Sequence, residues 1–254
     1  MSEAHERSVM VVGDRFEEFL THPGTISVSA LLEYLRSGGG EGPPKITVGQ
    51  GLTGEQLAEL DKFAVTGRCV LATQERVPLP VERDVTHKVY EKNVLIGEIE
   101  DLGEGRYRTP LVLDERVEVL EDHLTGLHIP AVTLLEAARQ TWTAVTERHL
   151  ISPEPRSRFV ISHVNSTFLN FVFPIPAHLE YRLRRREEGP VGEVIAFTVE
   201  VQQTGRIAAR FEAEIRVIPV RFAEKQEAMA ARQTLRDETT PRPRAALDAM
   251  GALI

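Results

Sequence analysis

Cysteine is nearly absent from the sequence, and long apolar runs are missing altogether. The 254 residues include one cysteine, Cys69, so an intrachain disulfide is excluded. No run of eighteen apolar residues occurs, which is the length that marks a membrane-spanning helix. The opening residues, MSEAHERSVM, are charged and are not followed by an apolar stretch of signal-peptide length. We therefore expect a cytoplasmic protein that does not bind a membrane.

Signals for metal ions and nucleic acids are also missing. The eight histidines show no HExxH-type spacing and no cysteine cluster accompanies them, so we expect no metal site and no cofactor. The net charge of −8 argues against nonspecific binding to nucleic acid. One basic cluster, RLRRR at residues 182–186, is interpreted as the exposed end of a strand or as a docking patch for an acidic partner. Cys69, in the apolar run RCVLA, is interpreted as a small buried hydrophobic residue.

Residues 1–80 have the pattern of a small α/β unit. Apolar runs (VMVVG, KITVG, RCVLAT) alternate with two helical patterns, which predicts a βαβαβ order. The stretch GQGLTG at residues 49–54 matches the G-x-G-x-x-G dinucleotide fingerprint, and Glu75 lies near the distance expected of a ribose-binding acid. However, the unit has only about three strands, and the fingerprint does not follow the first of them. We therefore predict turn glycines and no bound dinucleotide.

From residue 81 the pattern changes to strands around one long helix. Two prolines in VPLPVERDV, residues 77–85, mark the boundary. The strand-like segments THKVYEKNVLIGEIEDLG and GRYRTPLVLDE come first, a helix over about residues 131–150 follows, and about four antiparallel strands complete the order. Pro130 is expected near the N1 position of that helix. This order predicts an α+β hotdog fold, a curved antiparallel sheet around a long central helix, over residues 81–221. Residues 222–254 predict a helix, a proline linker and an apolar tail.

The central helix carries a polar face beside an apolar one. Helical spacing places four apolar residues on one stripe: Leu135, Ala138, Trp142 and Val145. The neighbouring stripe is polar and contains Glu136, Gln140, Thr143 and Glu147. Glu136 and Arg139 are three residues apart, so the pattern by itself favours an ordinary surface ion pair over an active site.

These segments resemble the hotdog domain of the A-factor biosynthesis family, whose members take part in making γ-butyrolactone signals and related secondary metabolites. The matching features are the His87-Lys88 pair at the start of the first predicted strand, the E-x-x-R-Q of Glu136, Arg139 and Gln140, and the later FLNFVFPIP. The resemblance covers about residues 80–220. Members that make the butyrolactone typically carry two such domains in one chain, whereas this sequence has a single E-x-x-R-Q helix. We therefore expect a homodimer.

The resemblance implies transfer of a β-ketoacyl group from acyl carrier protein to the hydroxyl of a dihydroxyacetone-phosphate-like acceptor, with an acyl carrier protein or coenzyme A thioester as substrate. Within it, Glu136 is expected to act as the base, with its pKa raised by burial. Arg139 is expected to hold an anion, and Gln140 to orient the acceptor. The substrate-binding candidates are His87, Lys88, His128 and Thr143.

The same residues are compatible with other activities of a hotdog domain. Water in place of the alcohol gives a thioesterase, and proton exchange by Glu136 on the acyl chain gives a dehydratase. A third alternative is a non-catalytic domain that binds an acyl ligand or serves as an interaction module. Lys88 and the arginines of residues 182–186 would suit a pantetheine phosphate or an acidic carrier protein, with an ordinary solvated surface as the alternative. The burial of Glu136 separates an enzyme, which needs it enclosed, from a scaffold.

Overall fold

The structure is a computed structural model that describes residues 8–40, 42–123, 125–152, 154 and 156–239. The predicted apolar tail and most of the predicted proline linker lie outside the described residues. Among the described helices, none combines the length and the apolar composition needed to span a membrane.

The N-terminal part folds into a parallel four-stranded sheet flanked by two helices. Its strand order is β2-β1-β3-β4, and every neighbouring pair is parallel. The predicted strands VMVVG, KITVG and RCVLAT correspond to β1, β3 and β4, while the three-residue β2 was too short for the sequence pattern to show. The elements are β1 (Val9–Val12), a 3-10 turn (Phe19–Thr21), β2 (Thr25–Ser27), α1 (Val28–Arg36), β3 (Lys45–Val48), α2 (Gly54–Val65) and β4 (Val70–Leu71).

The rest of the described chain forms a six-stranded antiparallel sheet around a helix. The strand order is β5-β6-β8-β9-β10-β7. Its strands are β5 (Glu100–Gly103), β6 (Arg106–Pro110), β7 (Ser157–Phe168), β8 (His178–Gly189), β9 (Gly192–Gln203) and β10 (Arg206–Pro219). The helices are the short α3 (Glu118–Glu121), the central α4 (Ala131–Val145), its π-helical continuation (Thr146–Leu150) and α5 (Val220–Thr239).

Helix α4 packs inside the curve of this sheet. The indole of Trp142 is buried and lies 5.2 Å from the ring of Phe197 on β9, which in turn lies 5.1 Å from the ring of Tyr181 on β8. Large aromatic side chains of this kind supply much of the apolar area that a core buries. The predicted α+β hotdog fold, with a helix over residues 131–150 at its centre, is confirmed. Pro130 is the N-cap residue of α4, one position earlier than predicted.

The segment before β5 differs from the predicted first strand. Residues 83–93 form two 3-10 turns, Arg83–Thr86 and Glu91–Asn93, with His87 in the left-handed backbone region at φ 57°. Backbone groups here bond within the turns or to side chains of α4: Leu95 N donates to Gln140 Oε1, and Thr86 O accepts from Arg139. Alternating β-branched residues predicted a strand, but the helix supplies the partners that a strand would need.

The GQGLTG loop after β3 joins the two sheets. Gly51 forms a parallel bridge with Asp114, and Gly51 N donates to Leu113 O at 2.7 Å. A Cβ atom on Gly49 would lie 2.2 Å from the carbonyl oxygen of Pro174, so this position requires glycine. The backbone NH groups of Gly49, Gln50 and Gly51 all donate to carbonyl oxygens of the chain. These amides are therefore committed to packing and are not directed at a phosphate.

Candidate functional site

A loop at residues 86–88 lies against the outer side of α4. Thr86 O accepts a hydrogen bond from Arg139 Nη2 at 2.9 Å, and Lys88 Nζ lies 2.6 Å from Glu136 Oε1. His87, between them, reaches further along the helix, where its Nε2 lies 2.9 Å from Glu147 Oε1. The His87-Lys88 pair therefore contacts the E-x-x-R-Q helix, although it stands in a turn and not at the start of a strand.

The carboxylate of Glu136 is surrounded by donors. Arg139 Nε donates to Oε2 at 2.8 Å and Nη2 donates to Oε1 at 2.9 Å, while Gln140 Nε2 donates to Oε1 at 3.0 Å. With Lys88, this gives two cations and one amide on one carboxylate. About a quarter of each charged side chain is exposed: 27% for Glu136, 24% for Arg139 and 25% for Lys88. The cluster is enclosed more than a surface ion pair, and part of each charged side chain remains exposed.

The expectation of a raised pKa for Glu136 is wrong. Burial does disfavour the ionised form, but the hydrogen bonds and charge of Arg139, with further bonds from Lys88 and Gln140, outweigh it and lower the pKa of Glu136 to about 2. The sequence pattern showed the helix and its partial burial, but not the lysine delivered from a distant loop. Glu136 is therefore held as an anion at neutral pH.

Gln140 and Thr143 are buried supports of this cluster. Gln140 is fully buried, and besides Glu136 it bonds to the backbone on both sides of Val94, accepting from Leu95 N at 2.8 Å and donating to Asn93 O at 2.7 Å. Thr143 Oγ1 accepts from Arg139 Nη1 at 3.3 Å and donates to Arg139 O at 2.8 Å. The polar stripe of α4 is therefore not an ordinary solvated face, because the loop at residues 86–95 covers most of it.

His128 does not join the cluster. It lies in the segment before α4, where Nδ1 is 3.5 Å from Thr125 Oγ1 and the ring is 5.0 Å from that of Phe171. One partner of His87 was not indicated by the sequence pattern: the imidazole stacks on Phe159 of β7, with ring centroids 5.4 Å apart and planes 17° apart. Glu147 lies on the predicted polar stripe, eleven residues after Glu136. That position was the signal in the sequence for the contact with His87.

The basic cluster at residues 182–186 is largely paired within its own sheet. Arg185 lies 2.7 Å from Glu214 on β10, and Arg186 lies 2.5 Å from Glu193 on β9. Arg184 Nε donates to Thr198 Oγ1 at 3.0 Å. These arginines make cross-strand contacts, which fits the interpretation of the cluster as the exposed end of a strand. Cys69 is buried, and burial raises the pKa of its thiol, in line with a packing role.

Comparison with known proteins gives one family and a set of distant structural similarities. No curated protein sequence matches the chain. A mutant thioesterase from Pseudomonas aeruginosa is 14% identical, with a TM-score of 0.40 over 59% of this chain and 100% of that one. A conserved protein from the same organism is also 14% identical, with a TM-score of 0.39 over 54% of this chain and 100% of that one. A thioesterase from Haemophilus influenzae is 14% identical, with a TM-score of 0.36 over 48% of this chain and 78% of that one.

The family comparison covers most of the antiparallel part of the molecule. The A-factor biosynthesis hotdog domain matches residues 71–219, from the end of the parallel sheet to the end of β10. This range contains the loop at residues 86–88 and the whole of α4, and hence the complete Glu136 cluster. It agrees with the resemblance that the His87-Lys88 pair and the E-x-x-R-Q helix carry. The chain belongs to the A-factor biosynthesis hotdog domain family.

Proposed function

We propose that this protein transfers a β-ketoacyl group from an acyl carrier protein thioester to the hydroxyl of a small acceptor, in the synthesis of a γ-butyrolactone or a related secondary metabolite. The observation that supports it is the Glu136 cluster. One ionised carboxylate holds Arg139 and Lys88 at a partly open point of the central helix, within the part of the chain that matches the family.

The chemistry of an acyl thioester needs this kind of group. Attack on the thioester carbonyl places negative charge on its oxygen, and fixed donors stabilise that charge in the transition state. Arg139 uses Nε and Nη2 for Glu136 and Thr86, and one Nη1 hydrogen for Thr143. The second Nη1 hydrogen and the ammonium of Lys88 are the donors that we assign to the carbonyl oxygen. Glu136 positions both cations, so its catalytic role is electrostatic.

Helix α4 holds the cluster rigidly. Gln140 fixes both the carboxylate and the backbone at residues 93–95, and Thr143 fixes the guanidinium. Preorganised donors are effective because the site pays no reorganisation energy when charge develops. This supports a catalytic assignment over a passive interaction module, because the network holds two cations in fixed positions beside a partly exposed carboxylate.

We also propose that two copies associate along β7. This twelve-residue edge strand pairs with β10, and no other described strand lies along its second edge. It exposes Val160 and Ile161, and the chain just beyond it exposes Leu169 and Phe171. A long exposed edge of this composition invites pairing with another chain. Light scattering should give a dimer mass, and Ile161→Lys should give a monomer, whereas Val65→Lys on α2 should leave the dimer intact.

The transfer is tested by mass spectrometry of single turnovers. The protein is mixed with a β-ketoacyl-loaded acyl carrier protein, with and without dihydroxyacetone phosphate. An acyl ester that forms only with the acceptor supports the proposal. Free β-keto acid formed at the same rate without acceptor would indicate a thioesterase and overturn it. Loss of water from a 3-hydroxyacyl carrier protein, with no ester from the β-ketoacyl one, would indicate a dehydratase and also overturn it.

A further inference from the structure

A groove beside the C-terminal end of the central helix is not used by the Glu136 cluster. It has a volume of about 860 Å³, which is in the range of small-molecule sites. Four elements form it: the 3-10 turn at Arg83–Thr86, the π-helical turn, the start of β7 and the start of α5. Its apolar walls are Val85, Ile151, Phe159 and Val220. His87 and Glu147 line the same groove.

His87 is held in one orientation at this groove. Its Nε2 lies 2.9 Å from the carboxylate of Glu147, which can only accept, so Nε2 carries the proton and Nδ1 is the basic nitrogen. The ring also stacks on Phe159, with planes 17° apart. The backbone of His87 is left-handed at φ 57°, a conformation that costs a non-glycine residue energy and that is common at functional sites. Two side-chain contacts, with Glu147 and Phe159, and a left-handed backbone thus fix one imidazole on a groove wall.

Two arginines of the groove are available to an anion. Arg156 and Arg158 stand at the start of β7 and are exposed. Within the described part of the chain, neither guanidinium has an ion pair or a hydrogen bond to a side chain. The neighbouring Arg148, by contrast, pairs with Glu82 and Glu98. Guanidinium groups bind phosphate and carboxylate through two parallel hydrogen bonds, so the pair is suited to an anionic ligand.

The groove and the Glu136 cluster share one loop. Consecutive residues send Lys88 to Glu136 and His87 to Glu147, while Thr86 O binds Arg139. The Glu136 carboxylate is occupied by donors and has a pKa of about 2, which makes it a weak proton acceptor. Acyl transfer to an alcohol still needs a base, and imidazole is the side chain that most often serves as one near neutral pH.

We propose that this groove is the acceptor subsite of the transfer: His87 takes the proton of the acceptor hydroxyl, and Arg156 with Arg158 holds an anionic group, phosphate or carboxylate, on the same small molecule. The inference rests on the proposed function. The acceptor oxygen forms a bond to the thioester carbonyl carbon while its proton moves to His87 Nδ1. The C–S bond then breaks, and the carrier sulfur takes the proton from the imidazolium. The products are an ester and a free carrier thiol.

The kinetic test compares two acceptors that differ by one phosphate, dihydroxyacetone phosphate and dihydroxyacetone, with acetoacetyl-acyl carrier protein as donor. His87→Asn is suitable because asparagine tolerates a left-handed backbone. It should lower kcat about 100-fold or more with both acceptors, the worth of a general base. The double variant R156Q/R158Q should raise KM about tenfold or more for the phosphate alone. Arg232→Gln, an exposed arginine on α5, should change neither constant.

Binding separates the failure of this inference from the failure of the proposed function. Calorimetry with dihydroxyacetone phosphate needs no turnover, and its heat should be lost in R156Q/R158Q but kept in Arg232→Gln. If the wild type makes no ester, the transfer is refuted, while that binding difference would still support the anion site. If the wild type makes ester and His87→Asn, folded by circular dichroism, keeps its kcat, then His87 is not the base. Unchanged KM and binding in R156Q/R158Q would refute the subsite; His87→Gln replaces His87→Asn should the latter not fold.

Discussion

The GQGLTG loop and the E-x-x-R-Q turn of α4 are both short motifs that contain a buried glutamine. They differ in whether any charged group of the motif stays exposed to solvent. In the loop, Gln50 is buried and bonds to the backbone twice, donating to Leu111 O and accepting from Leu113 N. In the helix, Gln140 does the same for Asn93 and Leu95, but Glu136 beside it stays about a quarter exposed with two cations. A motif whose polar atoms are all used holds the fold, whereas one that keeps exposed charge can also act on a substrate.

The largest expected effect is on stability, from a substitution in the GQGLTG loop. Gly49→Ala should lower the free energy of unfolding by about 4 kcal/mol, because the new Cβ would lie 2.2 Å from the carbonyl oxygen of Pro174 and force the two sheets apart. Gly54→Ala, in the same motif, meets no atom within 4 Å and should change stability by less than about 1 kcal/mol. Urea unfolding of both variants is the measurement. Equal stabilities would contradict the packing role of the loop.

The next largest effect is on the rate of acyl transfer, from a substitution in the E-x-x-R-Q turn. Glu136→Gln keeps the shape of the side chain but removes the charge that holds Arg139 and Lys88, so acyl transfer should fall about 100- to 1,000-fold. Glu227→Gln, on the exposed side of α5, is the matched control and should be fully active. Single-turnover rates, with circular dichroism on each variant, decide it. A folded Glu136→Gln protein with the wild-type rate would reduce the cluster to a structural ion pair.

A smaller effect sharpens the role of the buried glutamines. Gln50→Ala leaves Leu111 O and Leu113 N without partners inside the junction of the sheets, and it should cost about 2–3 kcal/mol of stability. Gln226→Ala, exposed on α5, should cost less than about 0.5 kcal/mol. Thermal or urea unfolding gives both values. The prediction fails if Gln50→Ala unfolds with the same midpoint as the wild type.

The smallest effect is a dependence on acid. The folded-state pKa of Glu136, about 2, lies below the ordinary value of 4.5, so its contribution is complete above that ordinary value and disappears as the pH falls toward 2. Once screening of this partly exposed group is allowed for, the contribution is about 1–2 kcal/mol. The difference in unfolding free energy between the wild type and Glu136→Gln should therefore be full at pH 5 and largely lost by pH 2.5. A constant difference over this range would contradict the assignment.

Local patterns in the sequence predicted the fold class and three residues of the Glu136 cluster. The order of strands and one long helix predicted the hotdog, because a helix with an apolar stripe and alternating strands have few ways to bury their faces together. The E-x-x-R-Q spacing placed Glu136, Arg139 and Gln140 on neighbouring turns, since residues three and four apart share a helix face. Of the glycines in GQGLTG, Gly51 has a positive φ of 91° and Gly49 lies against the carbonyl oxygen of Pro174, as turn and packing residues do, while the unit itself has four strands and not the predicted three.

The distant residues that complete the Glu136 cluster and the contact of His87 were visible only in the folded chain. Lys88 reaches Glu136 across 48 positions and His87 reaches Glu147 across 60, and no local pattern encodes such contacts. The pKa of Glu136 depends on those neighbours, because burial and added donors act in opposite directions and their balance is set by geometry. The predicted first strand also fails for a tertiary reason: Thr86 O, Asn93 O and Leu95 N bond to side chains of α4, and the backbone between them bonds within two 3-10 turns.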